Sequence, residues 1–336
     1  MTSRQRVISA IKFEKPDRAP RDLWTLPAVS LYQREEHAKI LEKYPLDIAR
    51  PQACLGWSQD EYNASLKVGS YKDSWGSVWS VAEPGVIGEV TRPAIDDLSK
   101  LDSFKFPWHL IDNRNLSEIE RSCEGTDLFM LSDVTARPFE RAQFLIGTEK
   151  LLMELAYGTG KVRKLLDMLH EYFLKDIEFW CKTSVDAVVF MDDWGSMRSL
   201  LISPEMWREY FKPLYKEYCR LIHSYGKYAF FHTDGHTQQV YADFAEVGID
   251  VINSQLSIMS LEEIAKICKG KMTLWGEIDR QHILPFGTVD EVRREVMRIR
   301  KLFDDGTGGV IAQCEWGKNN PAQNIEEVFK AWLEPL

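Results

Sequence analysis

The stretch YAFFHTDGHT, residues 228–237, carries an apolar run into His232, Asp234 and His236, spaced two apart. Residues two apart in an extended segment point the same way, so His232 and Asp234 can reach one ion together. His236 follows Gly235, where the strand direction is expected to be lost. An imidazole and a carboxylate side by side begin a zinc site, and such a site needs a further ligand from elsewhere in the chain. Cys314, at the end of the later apolar run GGVIAQC, is the candidate.

Other runs end in the same way. LFMLSDV delivers Asp133, VDAVVFMDDWG delivers Asp192 and Asp193, and DVINSQ delivers Gln255. MTLWGEID ends in Glu277 and Asp279, and Glu315 follows Cys314. Bland alternatives stand beside each of these: an acid at a strand end often only accepts hydrogen bonds from loop amides, and a buried cysteine is usually packing.

The elements that must position these groups alternate. Residues 3–13 read as a short helix stopped by Pro16, and the text to about residue 125 is rich in Trp, Asp and Gly without a clean period. From 126 to 336 strands and helices follow one another regularly. The segment SPEMWREYFKPLYKEYCRLIHSYG opens on Ser203 as an N-cap with Pro204 at the first helical position, stops at Gly226, and is expected to break or kink at Pro213. Strands that are continuous apolar runs imply a parallel sheet covered by helices. A closed (β/α)8 barrel and an open doubly wound sheet both satisfy that pattern. No GxGxxG or GxxxxGK[ST] stretch follows the first strands, which favours the barrel: a single α/β domain over 1–336, a TIM barrel with an N-terminal extension. In that fold the strand ends gather at one mouth.

Composition narrows the function. With 44% hydrophobic and 28% charged residues, the chain is that of a globular protein. A formal net charge of −9 and no Lys/Arg run argue against nucleic acid as a partner. The N-terminus MTSRQRVISAIKFEKPDRAP lacks the apolar core of a signal peptide, no run is long enough to span a membrane, and a cytoplasmic location is expected. The six cysteines, Cys54, Cys123, Cys181, Cys219, Cys268 and Cys314, form no CxxC pair and read as reduced thiols.

Nearly end to end, the chain resembles the uroporphyrinogen decarboxylase superfamily, and within it the corrinoid-linked methyltransferases. The segments that carry the resemblance are SRQRVISAIKFEKPDRAP, YKDSWGSVW (71–79), FERAQFLIGTEKLLMEL (139–155), MDDWGSMRSLLISPEMWREYFKP (191–213), FHTDG (231–235), LWGEIDRQHIL (274–284) and GGVIAQCEWGKNNPAQNIEEVFKAW (308–332). The resemblance implies a (β/α)8 barrel. The decarboxylases carry an arginine-rich RQAGR-type segment near the N-terminus to grip the porphyrinogen acetates, where this chain has RAPRDLWTLPAV. The methyltransferases hold zinc through an H-x-C pair and a later Cys; His232 matches the histidine, Cys314 the late cysteine, and Asp234 stands where the first cysteine would be. A carboxylate for a thiolate conserves the charge at the metal.

The resemblance also makes Glu277 a candidate fourth ligand or proton-handling group, with His236 as the runner-up. It implies methyl transfer between a small donor and the cobalt of a corrinoid carried by a separate protein. Trp24, Trp194, Trp275 and Trp316 flank the candidate segments and suit an aromatic methyl ether, while Trp75 reads as scaffold. Two other readings stand beside this one: a decarboxylase acting on another acid with Asp192 or Asp193 as its charged partner, and a metal-free binding member of the fold.

Overall fold

The computed structural model describes residues 1–51 and 59–335; Cys54 lies outside the described residues. Eight parallel strands follow the order β1-β11-β10-β9-β8-β7-β6-β2. They are β1 (Arg21–Thr25), β2 (Ile48–Ala49), β6 (Phe129–Val134), β7 (Ala187–Met191), β8 (Tyr228–Thr233), β9 (Val251–Ser254), β10 (Thr273–Trp275) and β11 (Val310–Trp316). A separate antiparallel sheet joins β3 (Gly69–Lys72), β4 (Val78–Val81) and β5 (Glu89–Arg92), inserted between β2 and β6. The (β/α)8 barrel expected from the alternation is present. Its first two strands lie inside the N-terminal stretch that shows no period, because they are only five and two residues long.

The barrel closes between β2 and β1 without a ladder. The Asp47 N–H donates to the Arg21 carbonyl at 2.8 Å. The fully buried Asp47 carboxylate accepts from the Arg21 N–H (2.7 Å), Ser3 (2.7 Å), Arg6 Nη1 (2.7 Å) and Arg18 Nη1 (2.7 Å). Burial alone would raise this carboxyl, but the bonds from Arg18, Ser3 and Arg21 outweigh it and hold it below the ordinary range. Arg18, which lies in the segment where a decarboxylase would keep its anion clamp, is thus committed to the barrel seam.

Alternation along each strand separates two cores. Phe129, Leu131, Ala187, Val189, Phe230, Val251, Trp275 and Ile311 fill the barrel, with Val7 and Ile11 of the helix Ser3–Ile11 packed against them. Their neighbours, including Leu23, Phe231, Ile252, Leu274, Ala312 and Cys314, face the surrounding helices. The interruption expected at Pro213 is real: one helix runs Pro204–Tyr210, capped by Ser203 on the Met206 N–H, and a second runs Lys212–Ser224. Trp75 is scaffold, wedged between Tyr172 (4.7 Å) and the Arg141 guanidinium (4.4 Å). Among the described residues no helix is long and apolar enough to cross a membrane.

Candidate metal centre at the barrel mouth

Strands β7, β8 and β9 are in register such that Met191, His232 and Asn253 stand side by side. His232 follows Phe230 on the inward face, and its side chain is 6% exposed. Its Nδ1 lies 2.6 Å from Asn253 Oδ1. Asn253 cannot be turned the other way, because its Nδ2 donates to the Trp275 carbonyl (2.5 Å) and to Gln313 Oε1 (3.2 Å). Nδ1 therefore carries a proton, and Nε2 is left to face the mouth.

What Nε2 faces is acidic. Asp193 Oδ1 and Asp234 Oδ1 each stand 3.7 Å from it, too far for a hydrogen bond. Asp234 Oδ1 is buried and has no hydrogen-bond partner. The three donor atoms lie within 4.8 Å of one another. Ligands of one zinc at about 2.0–2.1 Å stand roughly 3.3 Å apart, so a small inward movement would complete a three-ligand set. Two carboxylate oxygens and a ring nitrogen facing one point without hydrogen bonds between them form a place where a cation is stabilised. His232, Asp193 and Asp234 fit a divalent metal.

Backbone geometry brings the two loops that carry these acids together. Gly195 donates to the Asp234 carbonyl (3.0 Å), and the His236 N–H donates to the Ser196 carbonyl (2.8 Å). Gly235 adopts φ 82°, and a Cβ there would lie 2.0 Å from the Gly195 carbonyl oxygen. Only glycine fits. The turn at Gly235 also carries His236 past the ion-facing group, of which it is not a member.

Cys314 is not brought to this cluster either. On β11, Ile311 faces the barrel interior and Gln313 bonds Asn253, whereas Ala312, Cys314 and Trp316 belong to the outer core. Burial, with Asp22 and Glu277 nearby, pushes its thiol well above the usual range, which is the state of a packing cysteine. The group that β11 presents to the mouth is Glu315.

Arg280 is the residue that ties the remaining acids together. Its Nη2 pairs with Asp234 Oδ2, its Nε with Glu277 Oε1 (3.1 Å) and its Nη1 with Glu315 Oε1 (3.1 Å). Burial opposes its charge, but Glu277, Asp234 and Glu315 outweigh that and raise the guanidinium further. Glu277 itself is pushed far up, by burial first, although Arg280 pulls it back in part. Burial thus favours its protonated form, and the Arg280 guanidinium favours its carboxylate. Asp193 is pushed up to about 7 by burial and by Glu140, against the opposing pull of His232.

Asp192, one residue from Asp193, points elsewhere. Its fully buried carboxyl accepts from the Phe139 N–H (3.0 Å), the Glu140 N–H (2.8 Å) and the Tyr215 hydroxyl (2.7 Å). It caps the helix Pro138–Ile146 from a neighbouring strand, a structural task.

The tryptophans divide similarly. Trp24 alone of the four is partly exposed, its ring 5.0 Å from the His232 ring. Its indole N–H shares the buried Asp22 carboxyl with Trp275, at 3.1 and 2.8 Å. Trp275 is a fully buried member of the barrel filling, beneath Trp24. Trp194 is stacked on Phe139 at 4.2 Å and bonded to Tyr215, behind the barrel wall. Trp316 faces outward like Cys314, donating to the Asn320 carbonyl (3.0 Å). The expectation of four indoles around one mouth is corrected to one, since strand parity or loop path turns the others into the cores.

Asn253, Gln313 and Arg280 are absent from the sequence-derived candidates. For Arg280 a signal existed: it is the one cation in GEIDRQH, a segment that also carries Glu277 and Asp279.

Comparison with known proteins agrees with this architecture. Over 99% of this chain and 98% of the other, the fold is similar to that of a methyltransferase from Methanosarcina mazei, with a TM-score of 0.74 at 16% identity. A glycosylated endo-β-1,4-xylanase from Gloeophyllum trabeum aligns at a TM-score of 0.48 and 8% identity, covering 97% of this chain and 99% of that one. No curated protein matches the sequence. The family model of uroporphyrinogen decarboxylase (URO-D) matches residues 118–334, well over half of the chain. That stretch runs from just before β6 through β11 and carries every acid of the mouth, and the chain belongs to the uroporphyrinogen decarboxylase family.

Proposed function

We propose that this protein is a methyltransferase that moves a methyl group between a small donor and the cobalt of a corrinoid carried by a separate protein. It would hold a divalent metal, zinc by the family expectation, through His232, Asp234 and Asp193. The observation that carries this reading is His232 Nε2, without a hydrogen bond and faced by two carboxylate oxygens at 3.7 Å. Zinc at such a site supplies Lewis acidity to the oxygen or sulfur that loses or gains the methyl group.

The chain's own residues supply the rest. Asn253 fixes the His232 tautomer. Glu277, whose carboxyl is raised by burial and held beside the site by Arg280, is placed to pass a proton to the oxygen or sulfur that departs. Trp24, braced by Asp22, offers an aromatic wall beside His232, which suits a methoxyaromatic donor. The decarboxylase alternative is disfavoured by charge. Asp193, Asp234, Glu277 and Glu315 face the mouth, and the cation among them, Arg280, is fully engaged.

The test is an assay with reduced cobalamin and a panel of methoxyaromatics, methanol and methyl thiols, following methylcobalamin spectroscopically. Methylcobalamin formation that requires cobalt(I) and an added divalent metal is the expected result. Decarboxylation of a carboxylic acid at enzymatic rates, with no methyl transfer from any donor, would overturn the proposal.

A further inference from the structure

Two carboxylates stand beside the proposed metal set without joining it. Glu277 follows β10, Glu315 lies near the end of β11, and both are paired to the guanidinium that also holds Asp234 Oδ2. One guanidinium thus spans the ends of three strands, and its three nitrogens set the three carboxylates around a single plane. Asp234 Oδ1, on the other side of the same carboxylate, is the orphaned atom that faces His232 Nε2. Both glutamates are therefore linked to the metal set through the guanidinium they share with Asp234.

A metal that carries out chemistry on a substrate needs three protein ligands and one open position. Here two further carboxylates sit on the guanidinium that holds Asp234, outside the group of three donors. Left free, Glu277 or Glu315 would fill the fourth position and turn a reactive site into a closed, structural one. We infer that Arg280 is a positioning residue that keeps the metal's substrate position open, by sequestering Glu277 and Glu315 while orienting Asp234 for ligation. The assignment rests on the metal reading above. It uses the fork geometry of arginine: a lysine ammonium has no planar set of donors with which to hold three carboxylates apart.

The test uses cobalt(II) as the metal and 2-mercaptoethanol as the entering ligand, and it reads spectra rather than turnover. In the unaltered protein, cobalt(II) should bind, and added thiol should produce a thiolate-to-metal absorption band. Arg280→Met should bind cobalt(II) more tightly, because it removes a cation and frees two carboxylates, yet should show no thiol-dependent band. Adding Glu277→Gln and Glu315→Gln to Arg280→Met should bring the band back. If Arg280→Met does not fold, Arg280→Lys decides: the band must weaken and must recover when both glutamates become glutamine.

An undiminished band in the Arg280 variant, or no recovery after removal of the two glutamates, overturns the inference and leaves the metal site standing. Absence of cobalt(II) binding in the unaltered protein overturns both.

Discussion

Cys314 and Glu315 are adjacent on β11 and face opposite sides of the barrel wall. The cysteine packs into the outer core, and the glutamate reaches the Arg280 guanidinium at the mouth. One residue of strand parity separates a packing thiol from a site carboxylate.

That parity makes the first prediction. Cys314→Ser should leave divalent-metal affinity within about twofold of the unaltered protein. It should lower stability by about 1–3 kcal/mol, because a hydroxyl is buried where a thiol was. Metal titration and urea unfolding of the same preparation check the two halves. A large loss of metal affinity would restore Cys314 to the ligand set.

Asn253 makes the second. Asn253→Leu removes the acceptor that holds the Nδ1 proton of His232, so the imidazole is free to rotate or change tautomer. Loss of an outer partner of a metal-ligating histidine costs about 10–100-fold in metal affinity. Nitrogen-15 NMR of the metal-free protein should show His232 protonated on Nδ1, and that signature should be lost in the variant. An unchanged tautomer with weakened metal binding would mean that Asn253 acts only through packing.

The barrel was legible in the sequence because β6 to β11 are apolar runs separated by capped helices; β1 and β2 were not, being too short to show a period. His232, Asp193 and Asp234 were legible as polar residues ending such runs. Their grouping with Cys314 was not sound, because β11 is apolar on both faces up to Ala312 and its alternation is hidden. Gln313 and Glu315, two apart and polar, do share a face, and that pair was the readable sign of the mouth side. Cys314, the residue between them, matches the late cysteine of the methyltransferases in sequence but faces the outer core. Asp192 and Asp193 were inseparable by type, and only the position of a neighbouring helix N-terminus divides them.

The barrel seam makes a prediction about pH. Asp47 is held below the ordinary carboxylate range in the folded protein, so its contribution is fully present above the unfolded value of about 3.9 and is lost as pH falls through its folded value. Asp47→Asn leaves Arg18 without its buried counter-charge and Arg6 with Asp17 alone, which should cost about 3–5 kcal/mol at pH 7. The deficit should shrink as pH drops below about 4, where the unaltered protein loses the same interaction. Urea midpoints at pH 7 and pH 3 measure it, and a deficit that stays constant would show that the carboxylate charge is not what closes the seam.

The last prediction separates two tryptophans. Trp316 is fully buried in the outer core, hydrogen-bonded to the Asn320 carbonyl, and edge-on to His37 at 5.9 Å. Trp316→Ala should lower stability by about 3–5 kcal/mol, the cost of a large core truncation, and leave KM for a methyl donor unchanged. Trp24 borders the mouth and touches His232, and its indole N–H is one of two on Asp22. Trp24→Ala should raise KM for an aromatic donor by about 2–10-fold, the worth of one aromatic contact, with a smaller loss of stability. For methanol, which has no ring to stack, KM should barely move. Equal effects of Trp24→Ala on both donors would place the aromatic ring elsewhere in the mouth and remove the one structural support for a methoxyaromatic substrate.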